Sequence, residues 1–264
     1  MRKLSLKEIQ EAEMCILDEI DRICRQLNIT YFLGYGTLLG AARHQGFIPW
    51  DDDMDIFMLR KDYETLLSRF NDMPHDLPLK LLVYRDGVSN LPYAKVVDTS
   101  TSVTMKLVKE EYSTGIWVDV FPLDFIPSST PPALLKEKAY FFARVLASSI
   151  PAPERPAWQN ALIKFASATT LFRNPLSLAK KLDQAAQTHT NGPTDYLCDI
   201  VGEPEHPRCY LREWFSPIEM PFGSRTYLAP AGFESILETS YGDWRKLPPE
   251  NQRIPHGAEA YRID

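Results

Sequence analysis

The chain has 264 residues, of which 44% are hydrophobic and 11% aromatic, and it carries a net charge of −6 at pH 7. This composition is sufficient for one large domain or two small ones, and it excludes a disordered chain. The mixed acidic and basic residues disfavour a nucleic-acid-binding protein, which usually presents a basic face. They do not exclude a nucleotide ligand, because a metal ion can supply positive charge locally.

The four cysteines are predicted to be ordinary reduced thiols. The N-terminal sequence is not a secretory signal and no apolar run is long enough to span a bilayer, so we expect a cytoplasmic protein. Cys15 and Cys24 lie too far apart along one predicted helix to bond. Cys198, Cys209 and His206 are the alternative, a metal site, but their spacing fits no standard zinc pattern.

Residues 1–125 alternate helical and strand patterns. The first helix is predicted at 5–28, where Ser5 and Glu8 form a capping box. A short strand ending in glycine at 30–36 and a short helix at 37–46 follow it. Further along come predicted strands at 53–59, 79–85, 93–101 and 115–123, and a predicted helix at 60–72.

The sequence changes after Phe125, since 16 of the 21 prolines lie beyond it. Helices are predicted at 131–150, 157–172 and 174–187, and the segments around them are proline-broken loops. We therefore expect residues 1–125 to form an α/β (α+β) unit. Residues 126–264 are expected to form a mostly helical, loop-rich half that packs on that unit.

An acidic cluster, Asp51 to Asp53 followed by Asp55, stands where a predicted strand begins. Asp53 and Asp55 are two residues apart, so in a strand their carboxylates lie on one face and repel each other. Protonation of one of them or a divalent cation would relieve this repulsion. Hard oxygen ligands suit Mg²⁺ or Mn²⁺. Asp119, between two valines of another apolar strand, is the expected third ligand.

Two alternatives stay open for these carboxylates. Asp124 is a fallback ligand, although it follows Pro122 and is better explained as a turn cap. The whole cluster could also be a solvated acidic loop. The buried position expected for Asp119 favours the metal site over that loop.

The glycines before the acidic cluster predict a phosphate-binding turn. Gly34 and Gly36 end a strand and Thr37 opens a helix, whose free N–H groups attract anions. An ordinary tight turn is the alternative. Arg43, late in that helix, and Lys95, inside an apolar strand, are candidate phosphate contacts. Lys95 could instead pair with one of the aspartates, and for both residues a surface ion pair is the simpler alternative.

These motifs resemble a known family. Gly36-Thr37 followed by Asp53-Met54-Asp55-Ile56 is similar to the core of the nucleotidyltransferase superfold. The longer segment 36–58, "GTLLGAARHQGFIPWDDDMDIFM", resembles the signature of the LicD family, which includes bacterial phosphocholine transferases and fukutin-related proteins. Three other segments resemble further motifs of this family: "AKVVDTST" (94–101), "VDVFPLD" (118–124) and "YGDWRKLPP" (241–249).

The resemblance implies a nucleotidyltransferase-like mixed sheet flanked by helices, and an enzyme. Family members transfer a phospho-linked group, best known as phosphocholine from CDP-choline, to a hydroxyl of a cell-surface glycan or glycolipid precursor, and release CMP. Teichoic acid or lipopolysaccharide modification is the expected context. Mg²⁺ or Mn²⁺ would be held by Asp53, Asp55 and Asp119. Either Asp51 or Asp52 would act as base or outer ligand.

A choline cargo requires aromatic faces around its quaternary ammonium group. Trp50, which directly precedes the aspartates, is the first candidate, and Tyr241 and Trp244 of the C-terminal motif come next. Tyr93 and Trp117 are further candidates. The simpler alternative is that most of these rings belong to the core.

Two other functions are compatible with these motifs. A true nucleotidyltransferase would move NMP onto a small molecule or protein and release pyrophosphate instead of CMP. A binding module could retain the carboxylates without catalysis. Within the family, phosphoethanolamine, ribitol phosphate or glycerol phosphate are alternative cargoes.

Overall fold

A computed structural model of the protein describes residues 1–104, 109, 114–130, 132–153, 155–168, 174–254 and 259–263. The helices of these ranges are α1 (Leu6–Leu27), α2 (Tyr35–His44), α3 (Arg60–Arg69), α4 (Leu135–Ser148), α5 (Ala157–Ala168), α6 (Pro175–Ala186) and α7 (Phe233–Tyr241). The strands are β1 (Arg2–Lys3), β2 (Phe32–Leu33), β3 (Met54–Leu59), β4 (Leu79–Leu82), β5 (Ala94–Asp98), β6 (Thr101–Thr104), β7 (Trp117–Ile126), β8 (Tyr196–Cys198), β9 (Cys209–Leu211), β10 (Pro217–Phe222), β11 (Arg225–Pro230) and β12 (Glu259–Arg262).

The first helix begins as its sequence predicts. The Ser5 side chain accepts the N–H of Glu8, and the Glu8 carboxylate accepts the N–H of Ser5 at 2.9 Å, which completes the capping box. The helix ends at Asn28, which has the left-handed conformation common at helix C-termini (φ 53°). Its apolar face is buried against the central sheet.

A mixed sheet forms the centre of the molecule, with strand order β2-β3-β7-β5-β4. β3 runs parallel to β7, whereas β5 and β8 pair with β7 antiparallel. Nearly every residue of β7 is buried, which explains its almost continuous apolar sequence. Two smaller units flank it, the sheet β1-β12-β6 and the hairpin β10-β11. The mixed α/β architecture confirms the predicted fold class.

One hydrophobic core extends across the two halves of the chain. Ile56 and Val118 share a cluster of buried side chains with Leu197, Tyr210 and Phe222. The proposed boundary at 125/126 falls within the last residues of β7, and the division into two units stays a prediction.

The second half contains more strands than its sequence indicates. α4, α5 and α6 confirm three predicted helices, although residues 169–172 of the second one lie outside the described residues. The strands from β8 onward were not expected, because β8, β9 and β12 have only three or four residues and β10 contains two prolines. Within the described ranges, no helix combines the length and the apolarity that crossing a bilayer requires.

Candidate active site

Three charged side chains form a row across the central sheet. Asp55 of β3 lies opposite Asp119 of β7 in the parallel register, and Lys95 of β5 lies opposite Asp119 on its other side. Paired residues of neighbouring strands present their side chains on the same face. The sheet therefore brings two carboxylates and one amine together from segments about 20 to 60 residues apart.

Asp119 is held by two donors. The Lys95 amine lies 2.9 Å from Oδ1 and 3.1 Å from Oδ2, and the indole N–H of Trp117 donates to Oδ2 at 2.8 Å. The Lys95 amine also lies 3.8 Å from the centroid of the Trp117 ring. The sequence analysis gave a phosphate or an aspartate as the partner of Lys95, and in the structure the partner is Asp119. The Trp117 face is covered by Lys95, so this ring is not available to a choline group.

The Asp55 carboxyl lies in an unfavourable electrostatic environment. Burial raises its pKa well above the ordinary value. The negative charges of Asp53, Asp119 and Asp51 raise this pKa further, and Lys95 opposes them. Burial also raises the pKa of Asp119, against the effect of Lys95. A cation or a ligand donor at this position would stabilise both carboxylates in their charged forms.

The turn before these aspartates differs from its prediction by two residues. α2 begins at Tyr35, not at Thr37, and Gly34 is its N-cap. A Cβ on Gly36 would lie 2.8 Å from Oδ2 of Asp51, so the first turn of α2 touches the acidic cluster only because residue 36 is glycine. Thr37 is buried and its Oγ1 accepts the N–H of Asp55 at 2.8 Å. This hydrogen bond fixes the helix start to β3.

A cavity of about 520 Å³ opens over the two aspartates of this row, Asp55 and Asp119. Asp51, Asp53, Asp55 and Asp119 all line it, whereas Asp52 is buried and does not. Gly36 lines the cavity at the start of α2. The structure therefore gathers four of the predicted aspartates and Gly36 around one pocket, whereas Asp52 and Gly34 do not line it.

Aromatic side chains form much of the remaining wall. Trp50, Tyr93 and Tyr241, all candidates from the sequence, line the cavity together with Tyr35 and Phe121. The Tyr93 and Phe121 rings are 4.3 Å apart between centroids, and Tyr35 contacts Phe121 edge-on at 5.3 Å. A pocket with an acidic floor and aromatic walls suits an organic cation.

A loop after β8 completes the pocket from the second half of the chain. Its anchor is Asp199, whose carboxylate accepts the Tyr35 hydroxyl and the N–H groups of Val201 and Gly202. A Cβ on Gly202 would overlap the Asp199 carboxylate and contact Phe121 at 2.9 Å. This close packing requires glycine. Burial raises the pKa of Asp199 to about 6.

The same loop supplies a cation to the pocket. The Arg208 guanidinium pairs with Glu203 at 2.6 Å and lies over the rings of Tyr35 and Tyr241, at 5.5 and 6.0 Å from their centroids. Arg208 and Glu203 both line the cavity. Sequence reasoning missed this loop because it resembles other proline-broken segments, and only β8 pairing on β7 brings it to the site.

One buried acid behind the aspartates was also missed. Glu13 of α1 is 2% exposed, and burial together with the charges of Asp53 and Asp52 raises its pKa. A signal existed in the sequence, because Glu13 occupies the apolar face of α1 between Ile9 and Ile16. A charged residue at such a position requires a specific partner or a raised pKa.

Four of the residues predicted to contact the donor do not line the cavity, namely Thr37, Arg43, Lys95 and Trp244. The Arg43 guanidinium donates to the backbone carbonyls of Trp244 at 2.9 Å and Lys246 at 3.3 Å, so it joins α2 to the C-terminal motif. Trp244 is buried and its ring carries the Arg245 guanidinium at 4.2 Å. Neither Arg43 nor Trp244 lines the pocket.

Asp124 is not a turn cap, since it lies inside β7. Its two carboxylate oxygens accept from Arg60 at 2.8 and 2.6 Å, which also explains why it does not serve as a pocket carboxylate. Cys198 and Cys209 are free thiols that face each other across β8 and β9.

The donor set of the pocket fits a hard divalent cation, because its floor consists of carboxylates. Within the described ranges, however, no three Asp, Glu, His or Cys side chains are placed so as to hold one ion together. The register of Asp55 and Asp119 and the mutual repulsion of the cluster favour a cation. The metal therefore stays a proposal.

Comparisons with known proteins identify the relatives of this chain. The family model described as "LicD/FKTN/FKRP, nucleotidyltransferase domain" matches residues 28–133, which contain all the pocket aspartates. The chain is 30% identical, over 99% of its length and 99% of the relative's, to the lipopolysaccharide cholinephosphotransferase LicD of Haemophilus influenzae. Over 61 residues it is 38% and 45% identical to uncharacterised proteins of Rickettsia typhi and Rickettsia prowazekii, which covers 22% of this chain and 20% and 23% of theirs.

The sheet, the glycine turn and the aspartates together define a nucleotidyltransferase-type domain, in agreement with the family model. The similarity to the Haemophilus influenzae protein extends beyond this domain, over 99% of both chains. The chain belongs to the LicD family.

Proposed function

We propose that the protein transfers phosphocholine from CDP-choline to a hydroxyl of a cell-surface glycan precursor and releases CMP. The observation that carries this proposal is the 30% identity to a lipopolysaccharide cholinephosphotransferase across nearly the whole of both chains. The pocket supports it independently, since acidic and aromatic residues meet in one cavity of suitable size for a small activated donor.

In this reaction the acceptor oxygen forms a bond to phosphorus while the bond from that phosphorus to the oxygen of CMP breaks. The acceptor proton goes to a carboxylate. Asp51 lines the pocket and Asp52 does not, which favours Asp51 as the base. The Arg208 guanidinium lines the pocket and would contact the donor phosphates. Lys95 does not line the pocket and would act through its ion pair with Asp119.

Mg²⁺ or Mn²⁺ completes the proposal. Asp53, Asp55 and Asp119 would hold it, and it would neutralise the charge of the donor's pyrophosphate. The N–H groups at the start of α2, next to Gly36, would bind the phosphates from the other side.

The choline head would lie against the aromatic wall. Trp50 and Tyr241 line the cavity, whereas Trp117 does not. Guanidinium groups lie 5.6 Å from the Trp50 centroid (Arg253) and 6.0 Å from the Tyr241 centroid (Arg208), so the choline head would take the place of these cations or share the rings with them. We also propose that the reaction occurs in the cytoplasm, where nucleotide-activated donors are made. Cell fractionation of the native protein tests that location.

Product analysis tests the reaction class. Purified protein is incubated with CDP-choline, a lipopolysaccharide acceptor and Mg²⁺, and the nucleotide products are separated. CMP with phosphocholine on the glycan supports the proposal. In a parallel incubation with a nucleoside triphosphate in place of CDP-choline, release of pyrophosphate would instead show nucleotidyl transfer, which the family model's domain description makes the second candidate. Ligand binding without any product would show a non-catalytic module.

Competition binding tests the cargo. CDP-choline should bind about tenfold or more tightly than CDP-ethanolamine, because cation–π contacts of roughly 0.5–2 kcal/mol favour the trimethylated head. Trp50→Leu should remove most of this preference, and the matched variant Trp50→Phe should keep much of it. Equal affinity for CDP-ethanolamine, CDP-glycerol or CDP-ribitol would reject the choline assignment and leave phosphotransfer with another cargo.

A further inference from the structure

Two helices of the second half expose large apolar side chains. On α5, Trp158, Leu162 and Phe165 are 64%, 45% and 63% exposed, and their spacing places them on one helical face. On α4, Leu135 and Phe142 are 75% and 52% exposed and seven residues apart, so they also share a face. The two helices pack against each other. Exposed apolar side chains in such a set mark an interaction surface.

The segment that contains these helices is basic, unlike the rest of the chain. Residues 131–190 have eight Lys and Arg against three Asp and Glu, a net charge of +5 within a chain of net charge −6. Two of the three acids, Glu137 and Asp183, are buried and paired inside the fold. Lys136 and Lys164, in contrast, are exposed. Each is next in sequence to an exposed apolar residue, Leu135 or Phe165, and therefore lies about 100° around the helix from it, at the side of the apolar stripe.

We propose that this surface attaches the protein to an anionic lipid bilayer. The α4–α5 face is defined by the apolar residues Leu135, Phe142, Trp158, Leu162 and Phe165 and the lysines Lys136 and Lys164. Helices with Trp, Phe and Leu on one side and lysines beside them lie in the membrane interface, where the rings enter the acyl boundary and the amines contact lipid phosphates.

The charge of the face distinguishes a bilayer from a second copy of the chain. A two-fold symmetric dimer through this face would bring two copies of the same surface together, and none of the seven residues that define the face is acidic and able to pair with Lys136 or Lys164. Like charges across an interface are unfavourable. Anionic headgroups complement both the amines and the apolar side chains.

Vesicle flotation of the full chain tests this proposal. Vesicles of phosphatidylglycerol and phosphatidylethanolamine are compared with vesicles of phosphatidylcholine alone. We expect binding to the anionic vesicles, a blue shift of tryptophan emission that Trp158→Phe reduces, and weaker binding in about 1 M salt, where charges are screened within about 3 Å. The measurement requires no catalytic activity, so its outcome is independent of the proposed reaction.

Matched variants locate the binding surface. Leu162→Gln and Lys164→Glu should each weaken binding to anionic vesicles by about tenfold. Leu247→Gln and Lys80→Glu make the same changes at exposed positions outside the face, and they should alter binding less than about twofold. Thermal unfolding confirms that all four variants are folded.

Three results would overturn the proposal. The folded protein could fail to float with anionic vesicles. The face variants and their controls could weaken binding equally. Sedimentation could show self-association that Leu162→Gln abolishes while vesicles do not bind, and the face would then be an interface between copies.

Discussion

β7 carries two buried aspartates, five residues apart, in opposite surroundings. Asp124 receives both arms of one guanidinium, that of Arg60. Asp119 receives a single amine, that of Lys95, and lies in register with a second carboxylate, Asp55. One end of the strand therefore has its charge compensated by arginine, and the other combines like charges at the floor of a cavity.

The compensated end belongs to a network that joins distant elements. Arg60 also pairs with Asp183 of α6 at 2.8 Å, and Arg85 pairs with Asp183 at 3.2 Å and with Glu64 at 2.6 Å. Such a network orients β7, α3 and α6, and loss of one partner leaves buried charge uncompensated. At the other end of β7, Asp119 and Asp55 repel each other, and a bound ligand can relieve this repulsion. Buried charge occurs in structural networks as well as in functional sites, whereas an excess of one sign of charge in a cavity is typical of functional sites.

The largest contrast is expected from Asp55→Asn. This substitution keeps the shape of the side chain and removes one charge from the pocket floor. Turnover should fall by about 10³-fold or more, as for other groups that act directly in catalysis. The melting temperature without metal should stay equal or rise, because the pKa of Asp55 shows that its charge is unfavourable there. Asp53→Asn should likewise remove turnover while leaving the fold nearly intact.

Calorimetry with and without Mg²⁺ sharpens this result. Mg²⁺ should raise the melting temperature of the unmodified protein and have little effect on the Asp55→Asn variant. A lower melting temperature of the variant in the absence of metal would mean that Asp55 is a structural carboxylate, like Asp124.

Asp124→Asn should give the opposite pattern. Arg60 would lose one of its three carboxylate partners and keep Asp183 and Glu64, so the free energy of unfolding should fall by about 3 kcal/mol, at the lower end of the range for broken buried ion pairs. Turnover per folded molecule should change little, because Asp124 does not line the pocket. Urea unfolding and kcat measured on the same samples check both. A large loss of kcat with unchanged stability would place Asp124 in the active site.

The third contrast concerns pH and the loop that closes the pocket. Burial raises the pKa of Asp199 from 3.8 to about 6, so the folded state binds this proton more tightly than the unfolded state. Its contribution to stability is therefore complete below 3.8 and is lost as pH rises through about 6. Asp199→Asn removes this dependence. Between pH 4 and pH 7, the unfolding free energy of the unmodified protein should fall by about 2–3 kcal/mol relative to the variant.

Asp195→Asn is the control for that measurement, since Asp195 is an exposed aspartate close to the same loop. Its pH profile should parallel that of the unmodified protein. If Asp199→Asn also gave a parallel profile, the pKa of Asp199 would not be raised in the folded protein.

The sequence predicts the acidic half of the pocket well because its signals are local. The capping box of α1, the aspartates before β3 and the apolar strand around Asp119 are each contained within a few residues. The start of α2 was misplaced because Tyr35 has a positive φ of 40°, which sequence patterns do not indicate for tyrosine.

The opposite wall was not predictable, because it depends on tertiary pairing. Asp199, Gly202 and Arg208 stand in a segment without regular periodicity, and β8 has only three residues. Pairing of β8 with the end of β7 carries this loop to the pocket. Arg43 was predicted as a phosphate contact from its position in the sequence, but its guanidinium donates to the backbone carbonyl of Trp244 in the C-terminal motif.

The smallest predicted effect tests whether Arg208 binds a ligand, whereas Arg60 stabilises the fold. Arg208 faces the cavity and its described ion-pair partner is Glu203, so it can exchange that carboxylate for a donor phosphate, for which the planar guanidinium has suitable geometry. Arg208→Ala should raise the KM for CDP-choline by about tenfold, roughly 1.4 kcal/mol, with a smaller effect on kcat. Glu203→Gln should lower that KM, because it releases the guanidinium. Arg212→Ala, a nearby arginine outside this cavity, should leave the KM unchanged.

Steady-state kinetics with the donor varied at saturating acceptor tests whether Arg208 binds the donor. A change confined to the acceptor KM would assign Arg208 to the glycan. Equal losses of stability and activity in Arg208→Ala, with no opposite effect of Glu203→Gln, would show that this pair is structural, like the ion pairs of Arg60.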